Sequence, residues 1–190
     1  MCGHRVTTYT PIKVESRRCD QYAVHGTPAD CVRIGLYALH LRPDWILSGI
    51  NHGGNMGQDV YISGTVAAAR EATYHGFKAM VFSHYVKKGL EFDWSRASNW
   101  VRQIIQRLMP ERLAEDCLWN VNLPHLPAGP VELPELVHCR LARSPLNVSF
   151  EFNGADEYRY TARYPERPQD SGSDVEACFG GRVAVSQVSL

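Results

Sequence analysis

The 190-residue sequence predicts an α/β fold with a doubly wound, mainly parallel sheet. Short apolar runs that are typical of buried strands alternate with helical patterns through the first two thirds of the chain. The last third is broken by closely spaced prolines, and a hairpin pattern follows them. We interpret the hairpin as an excursion from the sheet, an arm at about residues 136–165, within a single domain of residues 1–190.

The first predicted elements are two short strands and a helix. The strands are expected at residues 9–15 and Gln21–Val24. Residues 27–30 then have the pattern of a capping box, in which Thr27 is the N-cap and Asp30 reaches back to the N-cap backbone. The proline between them suits the first helical position, because its missing N–H would have no partner there. The helix is expected to end by Pro43.

The central elements alternate in type. An apolar run at residues 45–47 predicts a buried strand that ends at Ser48-Gly49. After a glycine-rich loop, an alanine-rich helix is expected at residues 65–75, with Gly76 just past its end. The other expected elements are strands at 79–83, 118–121 and 182–188, an amphipathic helix at 97–108, and hairpin strands at 148–152 and 158–162 around an Asn153-Gly154 turn.

Charge and cysteine usage exclude several classes of protein. Twenty basic residues balance twenty acidic ones, so no long-range field favours a nucleic acid duplex or an anionic membrane. The six cysteines include no CxxC pair, which argues against a zinc knuckle or a redox dithiol. No apolar run reaches the roughly 18 residues that a membrane span needs. We therefore expect a cytoplasmic protein with reduced thiols.

The segment most informative about function is residues 48–66, between a buried strand and a helix. Ligands bind at the carboxyl ends of the strands in open α/β sheets. Asn51 follows the strand and offers an amide oxygen suited to a hard cation, Mg²⁺ or Mn²⁺. Ser63, Gly64 and Thr65 open the helix, where free N–H groups and hydroxyls can hold a phosphate. We expect Asn51 and this helix start to face one site.

Plainer interpretations of the same segment stay open. A glycine-rich loop before a helix is often only a connection, and Ser63 or Thr65 could be simple N-caps. His52 suits a surface position, and His84 suits a structural histidine at the end of a strand. Asp59 is expected first to tie the loop down by accepting backbone N–H groups, with metal binding as its second possible role. The loop matches neither a Walker sequence nor GxGxxG spacing.

Residues 51–66 are similar, at every fixed position, to the N-x-G-x-N-x-G-x-D-V-x-x-S-G-T-V signature of the SurE family of 5′/3′-nucleotidases. Three further segments resemble family motifs in the family's order. They are the G-T-P-A-D-C-V of residues 26–32, the W-N-V-N-L-P of residues 119–124, and the S-D at residues 173–174 with the closing strand at residues 181–185. The resemblance therefore covers nearly the whole chain.

The resemblance implies a Rossmann-like fold and metal-dependent hydrolysis of nucleoside 5′- and 3′-monophosphates. It implies that Asn51 is a ligand of the divalent metal, Mg²⁺ or Mn²⁺, and that the hairpin arm is exchanged between subunits of a homodimer or homotetramer. The aspartate pair that binds the metal in the family has no counterpart here, so no catalytic residue is assigned. The alternative is a non-catalytic phosphate- or nucleotide-binding remnant of the family.

The absent aspartate pair follows the first strand of the resembled fold, so we expect the chain to begin after that strand. This predicts an N-terminally truncated or miscalled start, with the serine ligand of the family falling just before Met1. In the resembled fold the missing strand lies between two central strands, which would then have unpaired backbone groups. Residues 1–190 alone are accordingly expected to be poorly stable and catalytically silent.

Overall fold

The computed structural model describes residues 3–129, 132–154 and 156–190, and Cys2 and Ala155 lie outside these ranges. The strands are β1 (Val14–Arg18), β2 (Gln21–Val24), β3 (Trp45–His52), β4 (Lys78–His84), β5 (Cys117–Leu123), β6 (Leu136–His138), β7 (Phe150–Phe152), β8 (Tyr158–Tyr160) and β9 (Val183–Ser189). The α-helices are α1 (Pro28–Arg33), α2 (Asp59–Ile62), α3 (Gly64–Tyr74), α4 (Trp94–Leu108) and α5 (Asp174–Phe179). A π-helical segment, Ile34–Ala38, continues α1, and a 3₁₀ turn covers Tyr164–Glu166.

The central sheet has five strands in the order β3-β4-β5-β9-β6. Strands β3, β4 and β5 are parallel, β9 runs antiparallel to β5, and β6 is parallel to β9. The predicted mainly parallel α/β sheet is therefore confirmed, with an antiparallel pair in its second half. Because β3, β4 and β5 point the same way, their carboxyl ends meet at one edge of the molecule.

Helices cover both faces of the sheet, as a doubly wound arrangement requires. On one face, α1 and α3 pack on a core that includes Val66, Ala69 and Val81. On the other face, α4 packs Trp100 and Ile104 against β4 and β5. A third cluster joins α5 to β9 and to the loop after β3. In the part of the chain that the structure describes, no helix is long and apolar enough to cross a membrane.

The capping box at the start of α1 is confirmed. The Thr27 hydroxyl accepts the Asp30 N–H at 3.2 Å, and the Asp30 carboxylate accepts the Thr27 N–H at 2.8 Å. The same carboxylate accepts the backbone N–H of Thr7 at 2.9 Å and its hydroxyl at 2.7 Å. These bonds lower the pKa of Asp30 even though burial opposes them. The N-terminal segment is thus attached to α1.

Two predicted strand boundaries are wrong. The first strand, expected at residues 9–15, lies at Val14–Arg18 and pairs with β2 in a separate two-stranded sheet. Strand β3 does not end at Ser48-Gly49 but continues to His52. Its pairing with β4 shifts register after Ser48 and then resumes at Asn51, opposite Ser83. Pairing with β4 on both sides of Gly49 makes these residues one strand, which no local pattern reports.

The hairpin is confirmed as an excursion from the sheet, but its expected bounds of about 136–165 are wrong, because Leu136–His138 is a strand of the central sheet. The paired strands are also shorter than the expected 148–152 and 158–162. Strands β7 and β8 pair antiparallel in a sheet of their own. Four aromatic side chains of the arm are more than half exposed, namely Phe150, Phe152, Tyr158 and Tyr160. Helices α2 and α5 and the short strand β6 were not predicted, because each has too few residues for a clear period.

Strand β3 lies at one edge of the five-stranded sheet. We expected a missing strand to leave two central strands with unpaired backbone groups between them. That prediction is wrong, since each of the five described strands of the sheet is hydrogen-bonded to the next in the order. Beside β3, an apolar groove of about 450 Å³ runs between the strand and α1, and Leu41 and Leu47 are about half exposed there.

Candidate functional site

The loop between β3 and α3 crosses the carboxyl edge of the sheet. It starts at Asn51, near the end of β3, passes through α2 and ends at Ser63, the N-cap of α3. The Ser48 hydroxyl on β3 donates to the Thr65 carbonyl at 2.8 Å, so the first turn of α3 lies against the strand. The loop thus brings the segments that carry Asn51 and the helix start to the same end of the sheet. That both groups contact one ligand remains a prediction.

Asn51 is half-buried, and a hydrogen bond holds its side-chain amide in one orientation. Its Nδ2 donates to the Gly53 carbonyl at 2.8 Å, and its Oδ1 has no hydrogen-bond partner among the described residues. Gly53 in turn donates its N–H to the His84 carbonyl at 2.9 Å, which fixes this turn to β4. An amide oxygen held in this way can serve as a ligand for a hard cation.

Asn55 anchors the middle of the loop to the sheet. Its N–H donates to Asn122 Oδ1 at 2.8 Å, and its carbonyl accepts from Asn120 Nδ2 at 2.9 Å and Asn122 Nδ2 at 3.1 Å. Its own Nδ2 donates to the Ser83 hydroxyl at 2.6 Å. All four residues are buried. Both backbone groups of a loop residue are therefore satisfied by side chains of β5, as burial demands.

Sequence reasoning did not identify this anchor, although the pattern contained a signal. Asn120 and Asn122 alternate with apolar residues on β5, and asparagine is uncommon inside a buried strand. Asn120 Oδ1 is buried and has no hydrogen-bond partner among the described residues. A buried polar side chain is expected to have a hydrogen-bond partner, and the partner of the Asn120 amide is the Asn55 carbonyl.

Asp59 ties the loop to the segment that follows the arm. Its carboxylate accepts from Arg167 at 2.7 Å, from the Tyr164 hydroxyl at 2.6 Å and from the Met56 N–H at 3.3 Å. Burial raises the pKa of Tyr164, and the neighbouring Asp59 carboxylate raises it further. The predicted role in tying the loop down is confirmed, with one backbone N–H and two side chains as partners. Because Arg167 already pairs with this carboxylate, the structure does not support the second suggestion, a metal ligand.

A second buried carboxylate holds the same loop from the side of α5. Asp174 accepts the Gly57 N–H and the Ala142 N–H, each at 2.8 Å. Burial raises the pKa of this carboxyl. Gly57 has a left-handed φ of +53°, and an added Cβ would lie 2.9 Å from the Ala142 carbonyl oxygen. Close packing therefore requires glycine here.

The start of α3 combines a cap with free donors. The Ser63 hydroxyl accepts the Val66 N–H at 3.2 Å, so the plainer interpretation of Ser63 as an N-cap describes what the structure shows. A hydroxyl that accepts in this way can still donate its own proton. The N–H groups of Gly64 and Thr65 have no hydrogen-bond partner among the described residues. They are the donors that a helix start offers to an anion.

The two histidines differ in exposure. His84 is buried, and its Nδ1 donates to the Tyr85 carbonyl at 2.7 Å. Burial lowers the pKa of His84 to about 4, so it is neutral at physiological pH. Its ring contacts that of Phe92, with centroids 4.4 Å apart. His52 is exposed, and its ring centroid lies 4.8 Å from that of Phe92. Both histidines therefore occupy the positions predicted for them, on the surface and in the core.

The described residues do not form a complete site for a divalent cation. They contain no group of three or more His, Cys, Asp or Glu side chains arranged to hold a metal ion. Asn51 Oδ1 would supply a single ligand, whereas such cations require several oxygen ligands. No reaction step is therefore assigned to a metal.

A parallel sheet whose carboxyl edge is crossed by a glycine-rich loop and a helix start defines the class of α/β proteins that bind ligands at that edge. The sequence profile of the family described as "Survival protein SurE" matches residues 1–147. The chain belongs to the SurE family, and the predicted resemblance is confirmed.

Individual relatives agree with this assignment. A Synechocystis protein named "Putative 5'-nucleotidase alr3139" is 45% identical over 189 residues, which cover 100% of this chain and 83% of the relative. "5'-nucleotidase SurE" of Paramagnetospirillum magneticum is 33% identical over 97% of this chain and 72% of its own length. The crystal structure of the SurE protein from Aquifex aeolicus superposes with a TM-score of 0.83 at 29% identity, covering 98% of this chain and 77% of that one. The Rossmann-like α/β fold is thereby confirmed.

Proposed function

We propose that this protein is a phosphomonoesterase that hydrolyses nucleoside 5′-monophosphates. The names of its relatives support a nucleotidase. The observation that carries the proposal is the anchored loop at the carboxyl edge of the sheet. It begins at Asn51, whose amide oxygen is free, and ends at the start of α3, where the N–H groups of Gly64 and Thr65 are free among the described residues. A mere connection would not require three separate buried anchors.

The phosphate is proposed to lie at the start of α3. Gly64 and Thr65 would donate their N–H groups to it, and Ser63 would donate its hydroxyl proton while its oxygen caps the helix. The positive end of the helix dipole favours an anion at this position. With the chain's formal net charge of zero, these local donors account for the binding of a phosphate.

The finer properties of the reaction follow the family resemblance. We propose that a divalent cation, Mg²⁺ or Mn²⁺, is required and that Asn51 Oδ1 contributes one of its ligands. We also propose activity on 3′-monophosphates. The cation would supply charge stabilisation to the phosphoryl oxygens. Asn51 itself holds its amide oxygen in place through its bond to Gly53.

The arm is proposed to mediate assembly into a homodimer or homotetramer. A two-stranded hairpin is marginal in water, and the exposed aromatic rings of β7 and β8 would gain stability by burial against a partner subunit. A cytoplasmic location is also proposed. The five described cysteines, Cys19, Cys31, Cys117, Cys139 and Cys178, form no disulfide, which is in keeping with a reducing compartment.

The test is phosphate release from 5′-AMP and 3′-AMP, with Mg²⁺ or Mn²⁺ and with a chelator. We expect release that depends on the added cation. A protein that binds AMP by calorimetry but releases no phosphate under any of these conditions would contradict the proposal. That result would favour the alternative of a non-catalytic nucleotide-binding protein.

A further inference from the structure

Residues 3–8 lie against the helices without forming a helix or a strand of their own. We call this segment the N-terminal strap. Because no backbone ladder holds it, its position depends on individual contacts with other elements. The strap makes such contacts with the start of α1, the C-terminal half of α3 and the end of α2.

The strap is attached to α3 at Glu71. His4 donates from Nε2 to Glu71 Oε2 at 2.6 Å, and the His4 ring centroid lies 6.0 Å from that of Tyr74. Glu71 is buried, and its other oxygen lies 2.8 Å from Arg33 Nε and 3.1 Å from His75 Nε2. Burial raises the pKa of this carboxyl, but the bonds from the two histidines and the charge of Arg33 lower it overall. Glu71 is therefore favoured as a carboxylate, the form that accepts from His4.

The strap also contacts the loop that leads to the proposed phosphate site. The Gly3 N–H donates to the Ile62 carbonyl at 3.1 Å. Ile62 ends α2 and is bonded directly to Ser63, the N-cap of α3. Since Gly3 and His4 are neighbours in the chain, the bond to Glu71 restrains the residue next to the one that holds Ile62. A continuous chain of contacts thus joins Glu71 to the start of its own helix through the strap.

The two contacts depend on each other. The net gain from one hydrogen bond is of the same order as the entropy that one residue loses when its backbone is ordered. The bond from Gly3 to Ile62 would therefore be open for much of the time if it acted alone. The bond from His4 to Glu71 orders the adjacent residue and so lowers the entropy that the Gly3 bond must overcome. Removing the His4 side chain should accordingly weaken both contacts.

We propose that His4 and Glu71 are positioning residues, which hold the start of α3 in its phosphate-binding conformation through the N-terminal strap. The inference rests on the proposed function, since it takes the phosphate to lie at that helix start. Both residues act through Ile62 and Ser63, and neither is assigned a contact with the substrate. A bound phosphate should in turn stabilise the strap, because the coupling free energy between two sites is reciprocal.

The first test compares AMP hydrolysis by the wild type and three variants. His4→Ala removes the donor to Glu71, whereas His4→Gln supplies a side-chain amide that can donate in its place. His25→Ala is the matched control, because it breaks another histidine–carboxylate pair, with Glu15 on the β1–β2 sheet. We expect KM to rise about fivefold in His4→Ala with kcat unchanged, and to change less than about twofold in the other two variants. An unchanged KM in His4→Ala, or an equal rise in any other variant, would overturn the proposal.

The second test needs only the wild type. Hydrogen exchange followed by NMR should show that the Gly3 amide exchanges more slowly than in an unstructured peptide, and saturating AMP should slow it further. A Gly3 amide without protection, or a rate that AMP leaves unchanged, would also overturn the proposal. The two proposals fail separately. AMP that slows Gly3 exchange but releases no phosphate removes the proposed activity and keeps the positioning role, whereas phosphate release with an unchanged Gly3 rate removes the positioning role alone.

Discussion

Replacing Asn122 by alanine should weaken the anchor of the loop at Asn55. The substitution removes the only described acceptor of the Asn55 N–H and one of two donors to the Asn55 carbonyl. An unsatisfied buried N–H costs about 1–3 kcal/mol, and the lost hydrogen bond to the carbonyl adds about 1 kcal/mol. We therefore expect a loss of about 3 kcal/mol, which is a large part of a typical stability of 5–15 kcal/mol.

Asn120→Ala is the matched control on the same strand face. It removes the other donor to the Asn55 carbonyl, yet that carbonyl keeps Asn122 and no backbone group loses its last partner. It also removes an amide oxygen that is already unpaired. The expected loss is about 1 kcal/mol. Urea unfolding followed by circular dichroism gives both values, provided that the slope with denaturant is unchanged.

A third variant, Asn122→Asp, tests the anchor through the pH dependence of stability. In Asn122→Asp the new carboxyl must protonate to donate to the Asn55 carbonyl, and burial also favours the neutral form, so its pKa should be raised in the folded state. A raised pKa makes the folded state bind more protons than the unfolded state, so stability is greatest at low pH and is lost as pH rises. The variant should lose less stability at pH 4 than at pH 7. Equal losses in the two alanine variants, or a pH-independent aspartate variant, would refute the anchor.

Further predictions concern other parts of the site. Gly57→Ala should lower stability by about 1–3 kcal/mol in urea unfolding, because its Cβ would meet the Ala142 carbonyl and its φ is left-handed. His84 should remain neutral above pH 5 in an NMR titration, and because its pKa is lowered to about 4, stability should fall by about 3 kcal/mol as pH drops from 6.5 to 4. Asn51→Ala should lower activity at limiting Mg²⁺ or Mn²⁺ with an unchanged melting temperature, and unchanged activity would argue against a ligand role. Light scattering at micromolar concentration should show a dimer or tetramer that Tyr158→Glu disrupts, and a wild-type monomer would contradict the proposed role of the arm.

Features carried by local sequence were predicted well. The capping box needs only Thr27 and Asp30, which lie three residues apart, and the alternation of strands and helices depends on periods within each element. The loop was recognised from its glycines and its position after a strand. The arm was recognised from alternating aromatic residues around an Asn153-Gly154 turn.

Contacts between distant residues were beyond reach of the same reasoning. Asn55 and Asn122 are 67 residues apart, and Asp59 and Arg167 are 108 apart. Nothing in a local pattern indicates which side chain will satisfy a loop backbone group at such a separation. The extension of β3 beyond Gly49 has the same origin, because pairing with β4 decides where the strand ends. Hydrogen bonds between residues distant in the sequence thus define the geometry of the site, whereas the sequence indicated only some of its residues.

Surface loops of related proteins commonly differ in length, because nothing holds their middle. The segment between β3 and α3 is different, since buried side chains hold it at Asn55, Gly57 and Asp59. Inserting or deleting one residue between any two of these points would pull at least one anchor out of reach. We therefore expect natural variants of this protein to keep the spacing of this segment unchanged. The tip of the arm can change length freely, since a Cβ added at Gly154 would meet nothing within 4 Å.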